Sequence, residues 1–172
     1  LQVNLGYKCN QSCLHCHVNA SPFRTEMMNP LNISLIPKVI NNYAIETLDI
    51  TGGAPEMHPL FKELIKEVST SGVKIIDRCN LTILQEPGYQ DLPEYLAKAK
   101  VAIIASLPCY EEENVNKQRG KDVFRKSINV LKLLNKLGYG KKDGILSLDL
   151  VYNPIGAFLP PPQESLEKEY KY

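Results

Sequence analysis

No stretch of this chain offers the roughly 18 consecutive apolar residues that a membrane-spanning helix needs. Its first residues also lack the charged, apolar and small-residue order of an export signal. The sequence opens at Leu1 rather than Met, inside what reads as a strand, so an upstream segment is expected. Charge of one sign is missing too: 20 basic residues face 19 acidic ones, leaving a net charge of +1. That balance gives no basic face to track phosphates, and Lys141 with Lys142 reads as a solvated turn. Nucleic-acid binding by bulk electrostatics is not expected. Neither an internal repeat nor a low-complexity tract is found, and 172 residues at 44% hydrophobic and 23% charged suit one soluble globular domain. Cysteine is scarce and odd in number, five in all. Three of these crowd between positions 9 and 16, which suits a metal site in a reducing cytoplasm better than a disulfide framework.

What is present is an alternation. Leu1, Val3 and Leu5 alternate with Gln2 and Asn4 as a short first strand. Residues 34–43 put Ile36, Val39, Ile40 and Tyr43 on one helical face, with Pro37 in the first turn, where a missing N–H does little harm. "TLDIT" (47–51) is a second strand. A helix opening at Pro59 carries Leu60, Phe61, Leu64, Ile65 and Val68, and Gly72 ends it. A third strand covers 73–77, followed by a looser segment with a short helix near its end. "VAIIASL" (101–107) is apolar almost throughout, as buried parallel strands are. A helix over 122–137 sets Phe124, Ile128, Leu131 and Leu134 on one stripe before Gly138 and Gly140, and "ILSLDLVY" (145–152) is the fifth strand. After "LPPPQ" a last charged helix runs to Tyr172. Repeated strand–helix units imply parallel pairing with right-handed crossovers, in an open α/β sheet or a partial barrel. The final helix has no returning strand, which reads as an incomplete barrel or a fragment of a longer protein.

The unusual residues fall just past the carboxyl ends of the strands. "CNQSCLHCH" follows the first, "GGAPE" (52–56) the second, "RCN" (78–80) the third, "SLPC" (106–109) the fourth and "YNP" (152–154) the fifth. In barrels and open α/β sheets alike that edge binds ligands, so the clustering points to an enzyme. Arg24 and Glu26 are expected to order the loop after the cysteines, His58 to stand at a helix entry, and Tyr110 with Glu111–Glu113 to form a solvated loop.

Three metal readings compete for Cys9, Cys13 and Cys16. "CLHCH" matches the C-x-x-C-H pattern of covalent haem attachment, but that needs an export route and a helical pocket. A structural zinc ion on the cysteines and His17 is chemically possible, although adjacent Cys16 and His17 would have to bend back onto one ion. An iron–sulfur cube normally takes one thiolate per iron, so C-x3-C-x2-C would leave one iron open to a small molecule.

This loop, placed after a first strand, resembles the signature of the radical S-adenosylmethionine (SAM) enzymes. The resemblance implies a partial (β/α)6-type barrel of which about five strand–helix units are present. It also implies a 4Fe–4S cluster on Cys9, Cys13 and Cys16 that chelates S-adenosyl-L-methionine through its amino and carboxylate groups. The reduced cluster then cleaves that cofactor to a 5′-deoxyadenosyl radical. His15 falls where the family usually has an aromatic residue near the adenine. Gly52, Gly53, Ala54, Pro55 and Glu56 resemble the segment whose backbone accepts the cofactor's ammonium, with Ala54 departing from the family's acidic residue. Ser106 matches a position that often touches the carboxylate or ribose, and "RGKDVF" (119–124) resembles the lead into a family helix. Asn80 and Asn153 are weaker cofactor candidates, because a strand-end Asn is commonly a helix cap.

"HCHVNASPFRTEMM", "DITGGAPE", "RCNLTIL", "ASLPCYEEENVNKQRG" and "LDLVYNPIGAFLPPPQ" together are similar to the arsenosugar-biosynthesis radical SAM proteins. That likeness implies transfer of the 5′-deoxyadenosyl group to a trivalent methylated arsenical, with an external donor such as flavodoxin or ferredoxin and no nucleic-acid or membrane partner. It further implies a core over 1–158, with 159–172 a linker and the start of a C-terminal domain. Trivalent arsenic is thiophilic, so Cys79 and Cys109 are substrate candidates; packing is the common alternative for a free cysteine.

Overall fold

The protein, as a computed structural model, is described over residues 1–154, 156, 157 and 159–171. Five strands, β1 (Gln2–Asn4), β2 (Thr47–Thr51), β3 (Lys74–Cys79), β4 (Ala102–Ser106) and β5 (Leu148–Val151), pair only in parallel and only with their sequence neighbours. Helices α1 (Pro30–Asn42), α2 (Phe61–Ser69), α3 (Leu92–Lys98), α4 (Glu112–Arg119), α5 (Val123–Lys136) and α6 (Gln163–Lys171) supply the connections and the closing segment. The expected partial α/β barrel is therefore the observed one.

Period-two alternation assigns the two sheet faces. Val3, Leu48, Ile50, Ile75 and Ile103 are buried, packed with the apolar stripe Phe61, Leu64, Ile65 and Val68 of α2. Asp49, Thr51, Ile76, Ile104 and Ser106 lie on the other, partly open face. Asp49 there takes a bidentate ion pair from Arg78 at 2.8 Å, which holds its carboxyl below the usual range.

Three local expectations are corrected. Helix α1 starts at Pro30, not residue 34, because the Asn29 side chain caps the Asn32 N–H at 2.9 Å and Pro30 sits in the first turn. Pro37 is consequently inside the helix. Residues 112–119, expected to begin as a loop, form α4: Glu112 and Glu113 favour its N-terminus, Lys117 and Arg119 its C-terminus, and Lys117 pairs with Glu113 at 2.7 Å. Helix α5 buries Val123, Ser127, Val130 and Leu134, so the stripe of Phe124, Ile128 and Leu131 only flanks the most enclosed face. The expected last helix is observed as α6, and it touches the rest of the protein. The Tyr170 hydroxyl donates to the Leu107 carbonyl at 2.6 Å, and the Tyr170 ring meets Tyr110 edge-on at 5.9 Å. The expected boundary at Phe158 lies outside the described residues. Among the described residues no helix is long and apolar enough to cross a membrane.

Candidate active site

Residues 5–28, between β1 and α1, are bound back onto the sheet edge rather than left loose. Tyr7 N–H donates to Glu26 O at 2.9 Å, Cys9 N–H to Ser21 O at 3.1 Å and Met28 N–H to Leu5 O at 2.9 Å. Two further bonds staple the loop to the end of β2: Gly53 N–H to Gly6 O and Ala54 N–H to Lys8 O, both 2.9 Å. Arg24 and Glu26 pair as expected, and Arg24 lies over the Tyr7 ring at 4.7 Å. Its hydrogen bond takes the Glu26 carboxyl down to about 2. His58 also stands where expected, buried before α2 with Nε2 2.9 Å from Met28 O and Nδ1 accepting the Leu60 N–H at 3.1 Å.

The loop and the strand ends enclose a cavity of about 270 Å³. Cys9, Cys13, Cys16 and His15 line it with Gly52, Gly53, Asn80 and Ser106, so these expected site residues share one space. All three thiols are free of disulfides. The Ala20 N–H donates to Cys16 Sγ at 3.2 Å, and the Asn80 amide to Cys9 Sγ at 3.3 Å. Burial pushes the Cys9 thiol up, and burial followed by the Arg119 charge pushes His15 down.

The donor set distinguishes the metals. A zinc ion with ~2.3 Å bonds gathers tetrahedral sulfurs about 3.8 Å apart. Among the described residues, no three of Cys9, Cys13, Cys16, His15 and His17 bring ligand atoms within 4.8 Å of one another. The loop therefore does not form a one-ion cage, whereas three spread thiols around one cavity fit a larger inorganic cluster.

The remaining expected residues fall elsewhere. Ala54 and Pro55 are buried and do not line this cavity. Glu56 turns into the core, where its carboxyl, that of Asp77 and the Cys79 thiol lie within 4.8 Å of one another. Cys79 stands at the expected carboxyl end of β3 as its last residue, but it is 0% exposed, faces the helices and does not line the cavity of the three thiols. Burial raises all three groups, Asp77 and Cys79 well above their ordinary values. Cys109 and Asn153 line a neighbouring cavity of about 350 Å³ with Asn114, Gln118 and Tyr152. Asn153 there exchanges hydrogen bonds with Gln118 instead of facing the cysteines.

Sequence reading missed Gln11, Arg78 and Arg119, which also line the first cavity. Arg119, at the end of α4, is 5% exposed. Its guanidinium donates to Ser106 O, to Gln11 Oε1 at 2.8 Å and to Asn80 O at 3.5 Å, all neutral oxygens, while its buried Nε has no partner. A cation enclosed without a neutralising anion is costly, and an anionic ligand would remove that cost. In the sequence Arg119 closes a run of charged residues, which gives no signal of burial.

Comparison with known proteins accords with this geometry. The family model described as the Radical SAM superfamily matches residues 3–151. A probable GTP 3′,8-cyclase from Sulfurisphaera tokodaii is 34% identical over 74 residues, covering 43% of this chain and 24% of the relative. The antilisterial bacteriocin subtilosin biosynthesis protein AlbA from Bacillus subtilis is 28% identical over 138 residues, covering 78% and 30%. Among solved structures, hexahistidine-tagged anSMEcpe with bound AdoMet superposes with a TM-score of 0.70 at 17% identity, covering 88% of this chain and 42% of that one, a likeness of fold. The chain spans less than half the length of each of these proteins.

Proposed function

The chain belongs to the radical SAM superfamily, and from that premise we propose that Cys9, Cys13 and Cys16 ligate a 4Fe–4S cluster beside a seat for SAM. Enzymes of this family use that cluster and that cofactor, which when bound supply the electron and the 5′-deoxyadenosyl radical. This chain's residues hold and orient them. Gly52 and Gly53 would offer bare backbone to the cofactor's ammonium, and Arg119 and Ser106 would receive its carboxylate and ribose. The carrying observation is one cavity lined at once by three free thiols, the Gly52–Gly53 backbone and a buried guanidinium without an anion. Anaerobic reconstitution tests it: about four irons per chain and reductant-dependent 5′-deoxyadenosine are expected. Loss of neither in a Cys13→Ala variant would overturn it.

For the substrate we infer a trivalent methylated arsenical that receives the 5′-deoxyadenosyl group. Cys109 supports this reading, since it lines a second cavity and thiolates are the soft ligands arsenic prefers. Cys79 has no such access. An external donor of the flavodoxin or ferredoxin type supplies the electron. A second reading, an organic or peptide substrate, is favoured by the relatives named for GTP cyclisation and subtilosin biosynthesis. Incubation with a methylated arsenite separates the two: an adenosylated arsenical supports the first, and cofactor cleavage without one supports the second.

A further inference from the structure

We propose that Asn80 is a positioning residue that sets how readily the cluster accepts an electron, by donating its side-chain amide N–H to the sulfur of Cys9. The proposal rests on the reading that Cys9 ligates the cluster. It concerns a residue first considered only as a cofactor contact or a cap.

The amide's orientation is decided by its neighbours. Asn80 Oδ1 accepts the backbone N–H of Ile83 at 3.1 Å and the Thr82 hydroxyl at 3.3 Å. A backbone N–H can only donate, so the oxygen must face it and the NH₂ must face the other way. There Nδ2 lies 2.8 Å from Asn10 Oδ1 and 3.3 Å from Cys9 Sγ. Both protons of the NH₂ have an acceptor, and Asn80 is only 6% exposed. Little water competes for the sulfur.

The backbone clamps this arrangement. Thr82 N–H returns to Asn80 O at 2.7 Å across Leu81, whose φ of 61° and ψ of −53° form the rare γ-turn with a positive central φ. Such a strained turn persists only where its surroundings over-determine it. Here the Leu81 side chain is 0% exposed, its N–H meets Cys79 Sγ at 3.2 Å, and Arg119 faces the Asn80 carbonyl. The strain is located where an amide must be held against a ligand sulfur.

Hydrogen bonds to cluster sulfurs draw off negative charge, which favours the reduced state and raises the potential. Three N–H groups meet ligand sulfurs among the described residues. Two are the Gln11 and Ala20 backbones, which substitution does not remove; the third is Asn80, the single side-chain N–H so placed.

Two neutral variants of the reconstituted chain test the idea. In Asn80→Ser the hydroxyl still caps Ile83 but cannot reach Cys9; Asn80→Leu keeps the volume and excludes water. Redox titration followed by electron paramagnetic resonance should give both a more negative midpoint than the parent, by about 59 mV for a tenfold weaker one-electron reduction. Four-iron clusters with unchanged midpoints in both would overturn the proposal and leave Asn80 a simple cap. Should the variants fail to take up iron, the parent labelled with side-chain 15N-asparagine is decisive. A 15N coupling to the reduced cluster supports the contact, and its absence overturns it. A parent that binds no cluster instead refutes the proposed function.

Discussion

Replacing Gly53 by Ala is expected to unseat the cysteine loop, although one methyl is the whole change. A Cβ at this position would lie 2.5 Å from Lys8 O and 2.9 Å from both Lys8 C and Ala20 Cβ. Two of those three atoms are backbone, so no rotamer relieves the contact. Gly53 itself does not sit in the left-handed region, so the restriction is clearance and not conformation. Forcing a methyl into such a contact costs about 1–3 kcal/mol. If the loop stays put, the protein bears that 1–3 kcal/mol, a melting temperature lowered by roughly 2–12 °C at 2–4 °C per kcal/mol. If the loop gives way instead, the clash is relieved, but the bonds from Gly53 to Gly6 and from Ala54 to Lys8 are lost at ~1 kcal/mol each, and Cys9, one residue beyond Lys8, leaves its place. Thermal unfolding and iron content after reconstitution should therefore be read together, and at least one must fall. Gly72→Ala is the control: nothing lies within 4 Å of its Cβ, while its φ of 71° disfavours Ala. It should lower stability by ~1–2 kcal/mol and keep its iron. A Gly53→Ala protein with the parent's melting temperature and iron content would refute the reasoning.

Further outcomes are expected elsewhere. Cys109→Ser should abolish transfer to an arsenical while cofactor cleavage continues, whereas Cys79→Ser should leave arsenical affinity unchanged; identical product yields from both would discard the role of Cys109. Arg119→Gln removes the charge offered to the cofactor and should weaken SAM binding by about 10- to 100-fold, as charged hydrogen bonds contribute ~1.5–3 kcal/mol; equilibrium binding to the reconstituted protein checks this. Asp77 is raised well above its ordinary value by burial and then by the Glu56 charge. A raised carboxyl stabilises fully below its unfolded pKa of about 4 and loses that contribution as pH climbs through the folded value. Asp77→Asn cannot ionise and can donate to Glu56, so its melting temperature should gain on the parent's from pH 5 to 9; parallel curves would refute the buried pair's titration.

Strand β4 was legible because a run as apolar as "VAIIASL" suits only a strand covered by helices. The thiols at 9, 13 and 16 were legible because chemistry, not packing, dictates their spacing. Helix α4 was not: Val115 is its one enclosed aliphatic, and a helix held by charge pairs and a single anchor has no apolar periodicity. The burial of Arg119 and Glu56 was not legible for a related reason. Both are charged residues taken out of water by tertiary packing, and sequence pattern assigns such residues to the surface. Asn80 was legible only as a strand-end amide, since the turn at Leu81 and the hydrogen bonds around it are what reveal where that amide points.

Because each strand pairs only with its immediate predecessor and successor, the walls of the pocket follow one another along the chain. Domains and their parts emerge from the ribosome N-terminal end first. The partners in the staples from Gly53 and Ala54 to Gly6 and Lys8 all lie between residues 6 and 54, so they are synthesised before β3. Asn80 follows and Arg119 comes last, each adding one more wall to the pocket.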